Sequence, residues 1–303
     1  MATILIAGLG AMGGLWAARL ASRHQVHVLT RASDTETLSG SISLTLYREG
    51  YPVFAGDLPL FEPARSPAPD LILLACKTWQ TAAVLSALNH PGLADRPVVI
   101  MQNGMATQMQ LASMNRPVLA ATTTEAAYRA SRRTLHHVAT GRTRLGALNT
   151  RAEQHLDEAA ALLASSGLET QAVGDIWPAL WSKVCINCGI NPYTALLNVT
   201  NGEILESELY RTTIDDLCQE LAHARMLAGC PATADALRSD IEEVARATAQ
   251  NTSSMLADVK AGRPTEIEAI NGFIVDYLRQ AGQPAPVNSL LTQRIRTLTQ
   301  EFH

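Results

Sequence analysis

The chain has few charged residues, few cysteines and no long uninterrupted apolar run. Charged residues make up 17% of the 303 residues and the formal net charge is −4, which gives no electrostatic reason to bind nucleic acid or an anionic membrane. No stretch reaches the ~20 apolar residues of a membrane helix, and the glycine-interrupted N-terminus lacks the positive charge of a signal peptide. The five cysteines are odd in number and have no disulfide spacing, which favours reduced thiols in a cytoplasmic protein. The 47% of hydrophobic residues are typical of a folded protein long enough for two domains.

The order of short apolar runs predicts an α/β fold followed by helices. The first half alternates β-rich and helical runs, as a doubly wound parallel sheet requires, and after Arg151 the apolar period becomes 3.6. We therefore predict a Rossmann-like domain over 1–173, a helical domain over 174–303, and an active site between them. Strands are predicted at 3–7, 25–30, 70–75, 98–101 and 118–124, a hairpin at 42–46 and 52–55, and two strands turning at Gly141 within 134–148. Helices are predicted at 12–22, 152–166, 178–191, 203–228, 233–259, 265–281 and near 288–301.

A glycine fingerprint lies between the first predicted strand and helix. Gly8, Gly10 and Gly13 have the spacing G-x-G-x-x-G. This pattern suits a tight turn, close approach of a pyrophosphate to the backbone, and close packing of the helix on the strand. Such turns also occur for structural reasons, but the strand–turn–helix–strand context favours dinucleotide binding. The cofactor-binding residues predicted here are Gly8, Leu9, Gly10, Ala11, Met12 and Gly13.

The end of the second predicted strand favours NADP over NAD. An NAD site usually places an acidic residue there for the ribose 2′-hydroxyl, whereas this chain has Thr30 and Arg31, and Asp34 lies farther on. A guanidinium can pair with a 2′-phosphate that a carboxylate would repel. The alternative is that Arg31 is an ordinary loop arginine.

Polar residues follow two further buried strands. Lys77 comes directly after the strand at 70–75, and Asn103 follows the strand at 98–101. Ligands of open α/β sheets bind beyond the carboxyl ends of strands, so both are candidates for the nicotinamide half of the site. The alternatives are a solvated surface lysine and an Asn-Gly turn.

The most informative segment is a predicted helix that carries Lys183, Asn187 and Asn191. Their spacing of four aligns them on one face, and Pro192 predicts that the helix ends at Asn191. A lysine can donate a proton to a carbonyl that is being reduced, while neutral amides hold a substrate. The alternative is a cap or an inter-helix hydrogen-bond network. Cys185 and Cys188 form C-x-x-C, but mid-helix they are better interpreted as buried packing thiols than as a redox or zinc site.

Together with Thr78-Trp79-Gln80, Gln102, and the segments 251–256 and 265–272, these motifs make the whole chain resemble the ketopantoate reductase (2-dehydropantoate 2-reductase) family. The resemblance implies a Rossmann-like domain, a helical domain of the 6-phosphogluconate dehydrogenase C-terminal-like type, and NADPH-dependent reduction of ketopantoate to pantoate for pantothenate and coenzyme A synthesis. It implies that Lys183 is the general acid and that Arg31 marks NADPH preference. It also implies that Asn187, Asn191, Asn201 and Ser254 hold the keto acid, and that Lys77, Asn103, Ala127 and Glu266 lie near the nicotinamide and ribose, Asn103 also near the substrate.

Glu266 is the second residue that we predict to be catalytic. Thr265 and Glu268 have the spacing of a capping box, which leaves Glu266 available for the active site. No metal is expected, because His136 and His137 are adjacent on a strand and point to opposite faces.

Two other functions remain open. One is reduction of another small 2-keto acid, or oxidation of a 3-hydroxy acid, on the same scaffold. The other is a non-catalytic NADPH sensor, which would have no use for the lysine and the asparagines. The expected partner is a small 2-keto acid, with a homodimer as one option for the assembly.

Overall fold

The computed structural model describes residues 1–30 and 40–300. The chain forms two compact units. One comprises Met1–Gln102 and Thr107–Ile176, and the other comprises Asn103–Ala106 together with the chain from Trp177 onward. We call them the sheet unit and the helical unit. The short segment 103–106 therefore belongs to the helical unit, although its neighbours in the sequence belong to the sheet unit.

The strands of the sheet unit form two sheets. Within the described residues they are β1 (Thr3–Ala7), β2 (Gln25–Leu29), β3 (Ser41–Arg48), β4 (Tyr51–Pro59), β5 (Leu71–Leu74), β6 (Val98–Ile100), β7 (Val118–Thr123), β8 (Ala126–Arg129), β9 (Thr134–Ala139), β10 (Arg142–Ala147) and β11 (Glu169–Ala172). The larger sheet has the order β11-β10-β7-β6-β5-β1-β2. The pairs from β2 through β1, β5 and β6 to β7 are parallel, β10 runs antiparallel to β7, and β11 pairs parallel with β10. The central strands are runs of Ile, Leu and Val that are buried on both faces, as a parallel sheet covered on both sides requires.

The smaller sheet has the order β4-β3-β9-β8. It packs on the first helix, where a Cβ at Gly14 would come within 2.3 Å of the Leu135 side chain. Leu44, Leu46 and Leu135 are fully or almost fully buried in the core that these elements share. Gly14 is thus needed for close packing of the helix against the sheet.

The helices of the sheet unit are short. They are α1 (Ala11–Leu20), α2 (Thr81–Ala87), α3 (Ala106–Ala112), whose first residue belongs to the helical unit, α4 (Thr150–Glu153) and α5 (Leu156–Ala164). A 3₁₀ turn, Thr78–Gln80, precedes α2.

The helical unit is built around one long central helix. Its helices are α6 (Trp177–Leu197), α7 (Glu208–Leu227), α8 (Ala234–Ala247), α9 (Ser254–Lys260), α10 (Asn271–Gln280) and α11 (Pro286–Gln300), with 3₁₀ turns at Glu203–Glu206 and Ile267–Ala269. Trp181 of α6 packs against Phe273 and Tyr277 of α10, with ring centroids 5.8 and 5.3 Å away. Among the described residues, no helix combines the length and apolar character that crossing a bilayer requires.

The prediction of a Rossmann-like sheet followed by a helical unit is confirmed, but several element bounds were wrong. The two strands around Gly141 are not partners, because β9 belongs to the smaller sheet and β10 to the larger one. The helix predicted to end at Asn191 continues to Leu197 with Pro192 inside it. At this point the Asn271 side chain donates a hydrogen bond to the carbonyl of Cys188, to which Pro192 has no N–H to donate.

The longer predicted helices are interrupted. The helix predicted over 233–259 is two helices, because the chain between them pairs with the chain after α6: the N–H groups of Asn201 and Gly202 donate to the carbonyls of Asn251 and Ala249. The helix predicted over 203–228 begins instead at Glu208, where the extended residue Ser207 caps it. The predictions over 152–166 and 265–281 each split into two shorter elements. Strands β8 and β11 and helices α2 and α3 were not predicted.

Candidate active site

The three glycines of the turn in the sheet unit, Gly8, Gly10 and Gly13, occupy their positions for different physical reasons. Gly8 has φ +99°, and a Cβ there would lie 2.5 Å from the backbone of Cys76. A Cβ at Gly13 would lie 1.9 Å from the carbonyl oxygen of Gly8. Gly10 has φ −74°, which any residue adopts, and its Cβ would meet no atom within 4 Å. The chain itself therefore requires glycine at positions 8 and 13, whereas the space beside Gly10 at the start of α1 suits close approach of a ligand. Leu9, Ala11 and Met12 lie between these glycines, the last two in the first turn of α1.

The residues after β5 and β6 are held together by one buried amide. The Gln102 side chain donates from Nε2 to the carbonyl of Cys76 at 2.7 Å, and Gln108 donates to the carbonyl of Gln102. Lys77 follows Cys76, and its Nζ lies 5.8 Å from the ring centroid of Trp79. Because the carboxyl ends of parallel strands share one edge of the sheet, Lys77 and Gly8 lie at the same edge.

Of two further residues predicted to bind the cofactor, the structure describes only one. Ala127 lies in β8 of the smaller sheet, opposite His137 of β9, and is partly buried. Arg31 lies outside the described residues.

The helical unit brings Lys183, Glu266 and Asn103 together. Asn103 donates from Nδ2 to Oε2 of Glu266 at 3.1 Å, and Glu266 is 6% exposed. Burial lowers the pKa of Lys183 to about 8, and the negative charge of Glu266 partly opposes this shift. The result is a half-buried ammonium group with a carboxylate neighbour, and its pKa lies near the range in which a lysine can donate a proton at neutral pH.

Asn187 and Asn191 lie on the same helix as Lys183, as predicted from their spacing. Asn187 is partly buried and Asn191 is 6% exposed. Across the parts of the chain that the structure describes, neither amide side chain makes a hydrogen bond. Neither amide is among the fully shielded polar groups without a partner, so the polar atoms of both keep some accessible surface at which a ligand could bind.

Asn201 is held by one end of its amide. Its Nδ2 donates to Oγ1 of Thr248 at 2.9 Å, and Thr248 in turn donates to the carbonyl of Val244. Its Oδ1 is buried and has no partner within the described residues. The Oδ1 of Asn201 is thus an acceptor without a donor, which suits a ligand hydroxyl group.

Ser254 is the exposed first residue of α9. The residue before it, Ser253, caps this helix by accepting from the N–H of Leu256, and its Oγ lies 2.7 Å from Oγ1 of Thr194 in α6. That contact joins the start of α9 to the helix that carries Lys183.

Two alternative interpretations of the sequence can now be decided. Glu268 is not part of a capping box: both its oxygens accept from Arg296, at 2.5 and 2.6 Å, and no side chain caps the turn after Glu266. Cys185 and Cys188 are buried, and burial raises the pKa of Cys185 to about 12, so the pair packs rather than reacts. The described residues contain no group of three His, Cys, Asp or Glu that could hold a metal ion.

Four residues that support the site were not predicted. They are Thr248, Thr194, Ser253 and Asn271. Each holds another residue or a backbone carbonyl through a side-chain hydrogen bond between elements far apart in the sequence. The threonines give no signal in a single sequence, whereas Ser253 and Asn271 lie in the segments 251–256 and 265–272 that carry the resemblance. The mid-helix proline could also have prompted a search for a donor such as Asn271.

The two units define an α/β protein of the dinucleotide-binding class with a helical second unit. Residues 4–150 match the family model for ketopantoate reductase PanE/ApbA, and residues 175–299 match the model for its C-terminal domain. The 2-dehydropantoate 2-reductase of Vibrio cholerae is 33% identical over 302 residues, covering 99% of this chain and 98% of that protein. The chain therefore belongs to the ketopantoate reductase family, whose members are pyridine-nucleotide-dependent oxidoreductases.

Two solved structures are similar in fold. The ternary structure of D-mandelate dehydrogenase with NADH and anilino(oxo)acetate has a TM-score of 0.87 and 21% identity, with 99% of each chain covered. The dimeric ketopantoate reductase of Staphylococcus aureus has a TM-score of 0.82 and 21% identity, with 99% of this chain and 100% of that chain covered.

Proposed function

We propose that this protein reduces 2-dehydropantoate (ketopantoate) to pantoate with NADPH, in the synthesis of pantothenate and coenzyme A. The observation that carries the proposal is the pairing of Lys183, whose pKa burial lowers to about 8, with the buried carboxylate of Glu266. Such a pair serves proton transfer to a ketone oxygen, and the family membership of the chain supplies the reaction class.

Lys183 donates the proton to the C2 oxygen of the substrate as that oxygen becomes an alcohol. Glu266 keeps the ammonium form populated through its negative charge, and Asn103 fixes the direction of the carboxylate by its hydrogen bond. Asn187 and Asn191 hold the keto acid by neutral amides, and Ser254 binds its carboxylate. Bound NADPH would supply the hydride for C2.

The cofactor would be held by the glycine turn and the neighbouring strand ends. The open space beside Gly10 fits a pyrophosphate against the backbone at the N-terminus of α1, and Lys77 lies at the same edge of the sheet. Ala127 contributes from β8. NADPH preference rests on Arg31, with no acidic residue before Asp34 after β2.

The hydroxyl at C4 distinguishes ketopantoate from simpler 2-keto acids. Asn201, whose buried Oδ1 lacks a donor, would accept from this hydroxyl. 3-Methyl-2-oxobutanoate lacks the whole hydroxymethyl group, and a site built to bind a hydroxyl group strongly rejects an analogue without it, so we expect ketopantoate to exceed 3-methyl-2-oxobutanoate in kcat/KM by at least about 100-fold.

The test follows the loss of reduced-nicotinamide absorbance for wild type and Lys183→Ala. The substrate is ketopantoate or 3-methyl-2-oxobutanoate, and the reductant is NADPH or NADH. Turnover that prefers NADPH and ketopantoate and falls at least about 10³-fold in the variant supports the proposal. Faster turnover of 3-methyl-2-oxobutanoate would favour a reductase of other 2-keto acids. Binding of NADPH without turnover of any keto acid would favour a sensor.

Arg31→Ala should lower the preference for NADPH over NADH, because it removes a positive charge that could pair with the 2′-phosphate. The cytoplasm is the proposed location, since the buried thiols Cys185, Cys188 and Cys218 suit a reducing compartment.

A homodimer is the proposed assembly, by likeness to the dimeric relative, and light scattering after size exclusion would test it.

A further inference from the structure

The central helix α6 passes through a proline without ending. In an α-helix the N–H of residue 192 would donate to the carbonyl of Cys188, but Pro192 has no N–H. An orphaned carbonyl at this point should end or kink the helix, because a buried carbonyl without a donor is costly. Nevertheless the helix continues to Leu197, and Asn191 remains in it.

The missing donor comes from another helix. Asn271, the first residue of α10, donates from Nδ2 to the carbonyl oxygen of Cys188 at 3.4 Å. The same Nδ2 also donates to Oδ1 of Asn288 at 2.9 Å. Asn271 and Asn288 are both 0% exposed, so neither hydrogen bond competes with water.

The direction of these amides is set by a carboxylate. Glu220 of α7 accepts from the N–H of Val287, from the N–H of Asn288 and from Nδ2 of Asn288, at 2.7, 3.0 and 2.7 Å. Because a carboxylate only accepts, the NH₂ group of Asn288 faces Glu220 and its oxygen faces Asn271. Asn271 must then present its NH₂ group, and the second hydrogen of that group points to Cys188.

We infer that Asn271 is a positioning residue that replaces the N–H lost at Pro192 and so keeps Lys183, Asn187 and Asn191 on one helical face. The role in catalysis rests on the proposed function, whereas the repair of the helix does not. Asn271 lies five residues after Glu266, so one short segment supplies both the carboxylate beside Lys183 and the donor that keeps Lys183 and Asn191 on one helix.

The inference predicts a specific coupling between positions 271 and 192. Asn271→Leu should raise the KM for ketopantoate about tenfold, because the carbonyl of Cys188 loses its donor and Asn191 leaves its position. The KM for NADPH should change less than about twofold, since the glycine turn is untouched. In Pro192→Ala the new N–H closes the helix, so Asn271→Leu should then raise the KM for ketopantoate no more than about twofold.

Ser207→Ala is the matched control. The Oγ of Ser207 accepts from the N–H of Tyr210 and caps α7. Ser207→Ala removes this cap and so destabilises the same unit by another route. The KM for ketopantoate should stay at the wild-type value in this variant. An increase like that of Asn271→Leu would mean that any loss of stability raises the KM, and the inference would be overturned.

Urea unfolding of the wild type, Asn271→Leu, Pro192→Ala and the double variant gives a readout that needs no activity. Asn271→Leu should lower the midpoint clearly in the wild-type background and much less in Pro192→Ala. Equal losses in both backgrounds would show that Asn271 acts only through Asn288, which overturns the inference. Should the wild type turn over no keto acid, the proposed function fails while the unfolding cycle still decides the role of Asn271. If Asn271→Leu does not fold, Asn271→Ser, which is smaller and cannot span to Cys188, replaces it in the cycle.

Discussion

Asn103 and Glu266 are joined by a hydrogen bond of 3.1 Å across 163 residues of sequence. The bond fixes the direction of a buried carboxylate beside Lys183. We expect Asn103→Ala and Glu266→Gln each to lower kcat/KM for ketopantoate about 10- to 100-fold, because the first removes the donor that directs the buried carboxylate and the second removes the charge of that carboxylate. The double variant should lose little more than Glu266→Gln alone, since Asn103 serves to direct a negative charge that Glu266→Gln has already removed. Steady-state kinetics of the three variants measure this, and losses that multiply would mean that the two residues act separately.

The rate should depend on the protonation of Lys183. Burial lowers its pKa to about 8, and only the protonated form donates. Activity should therefore be constant well below pH 8 and fall about tenfold per pH unit well above it. Glu266→Gln removes the charge that raises this pKa, so the break in the pH–rate profile should move to lower pH. A break that stays in place would contradict the assignment of Glu266 as the charge beside the lysine.

Gly10 and Gly13 should separate cofactor binding from stability. Gly10→Ala meets no atom within 4 Å and keeps an ordinary φ, so the protein should fold with an unchanged melting temperature while its affinity for NADPH falls by about tenfold or more. Gly13→Ala would bring a methyl group within 1.9 Å of the Gly8 carbonyl, so it should lower the melting temperature first. Thermal unfolding and fluorescence titration with NADPH check both variants. A Gly10→Ala variant with normal affinity would mean that the pyrophosphate does not approach this residue.

Thr248 should control selectivity for the hydroxylated substrate. Thr248→Val removes the acceptor for Nδ2 of Asn201, so the amide can turn and its oxygen no longer faces one direction. The preference for ketopantoate over 3-methyl-2-oxobutanoate should fall about tenfold, with the KM for NADPH unchanged. Thr212→Val, which removes a comparable threonine-to-backbone bond on the exposed face of α7, is the control and should leave the preference intact. Loss of the preference in both variants would contradict the role of Thr248.

The periodicity of the sequence was sufficient for the division into an alternating strand–helix half and a helical half, and for the glycine turn, because these depend on neighbouring residues. The alignment of Lys183, Asn187 and Asn191 was also predictable, since it follows from helical spacing alone. The end of that helix was not, because local rules stop it at Pro192 and a residue 79 positions away supplies the missing donor. The hairpin of β3 and β4 was predicted, but its assembly with β9 and β8 into a smaller sheet was not, since β3 finds its second partner in β9 far along the chain.

The placement of residues 103–106 limits how this protein can be divided. A Cβ at Gly104 would lie 2.2 Å from the carbonyl oxygen of Ala269, and the N–H of Met105 donates to that same oxygen at 3.1 Å. A fragment that begins at Trp177 would therefore lack a loop that fits closely into its own fold, together with Asn103. A chimaera that takes only the C-terminal half from a relative would have the same mismatch unless residues 103–106 are exchanged as well. The helical unit is therefore encoded by two separate segments of the gene.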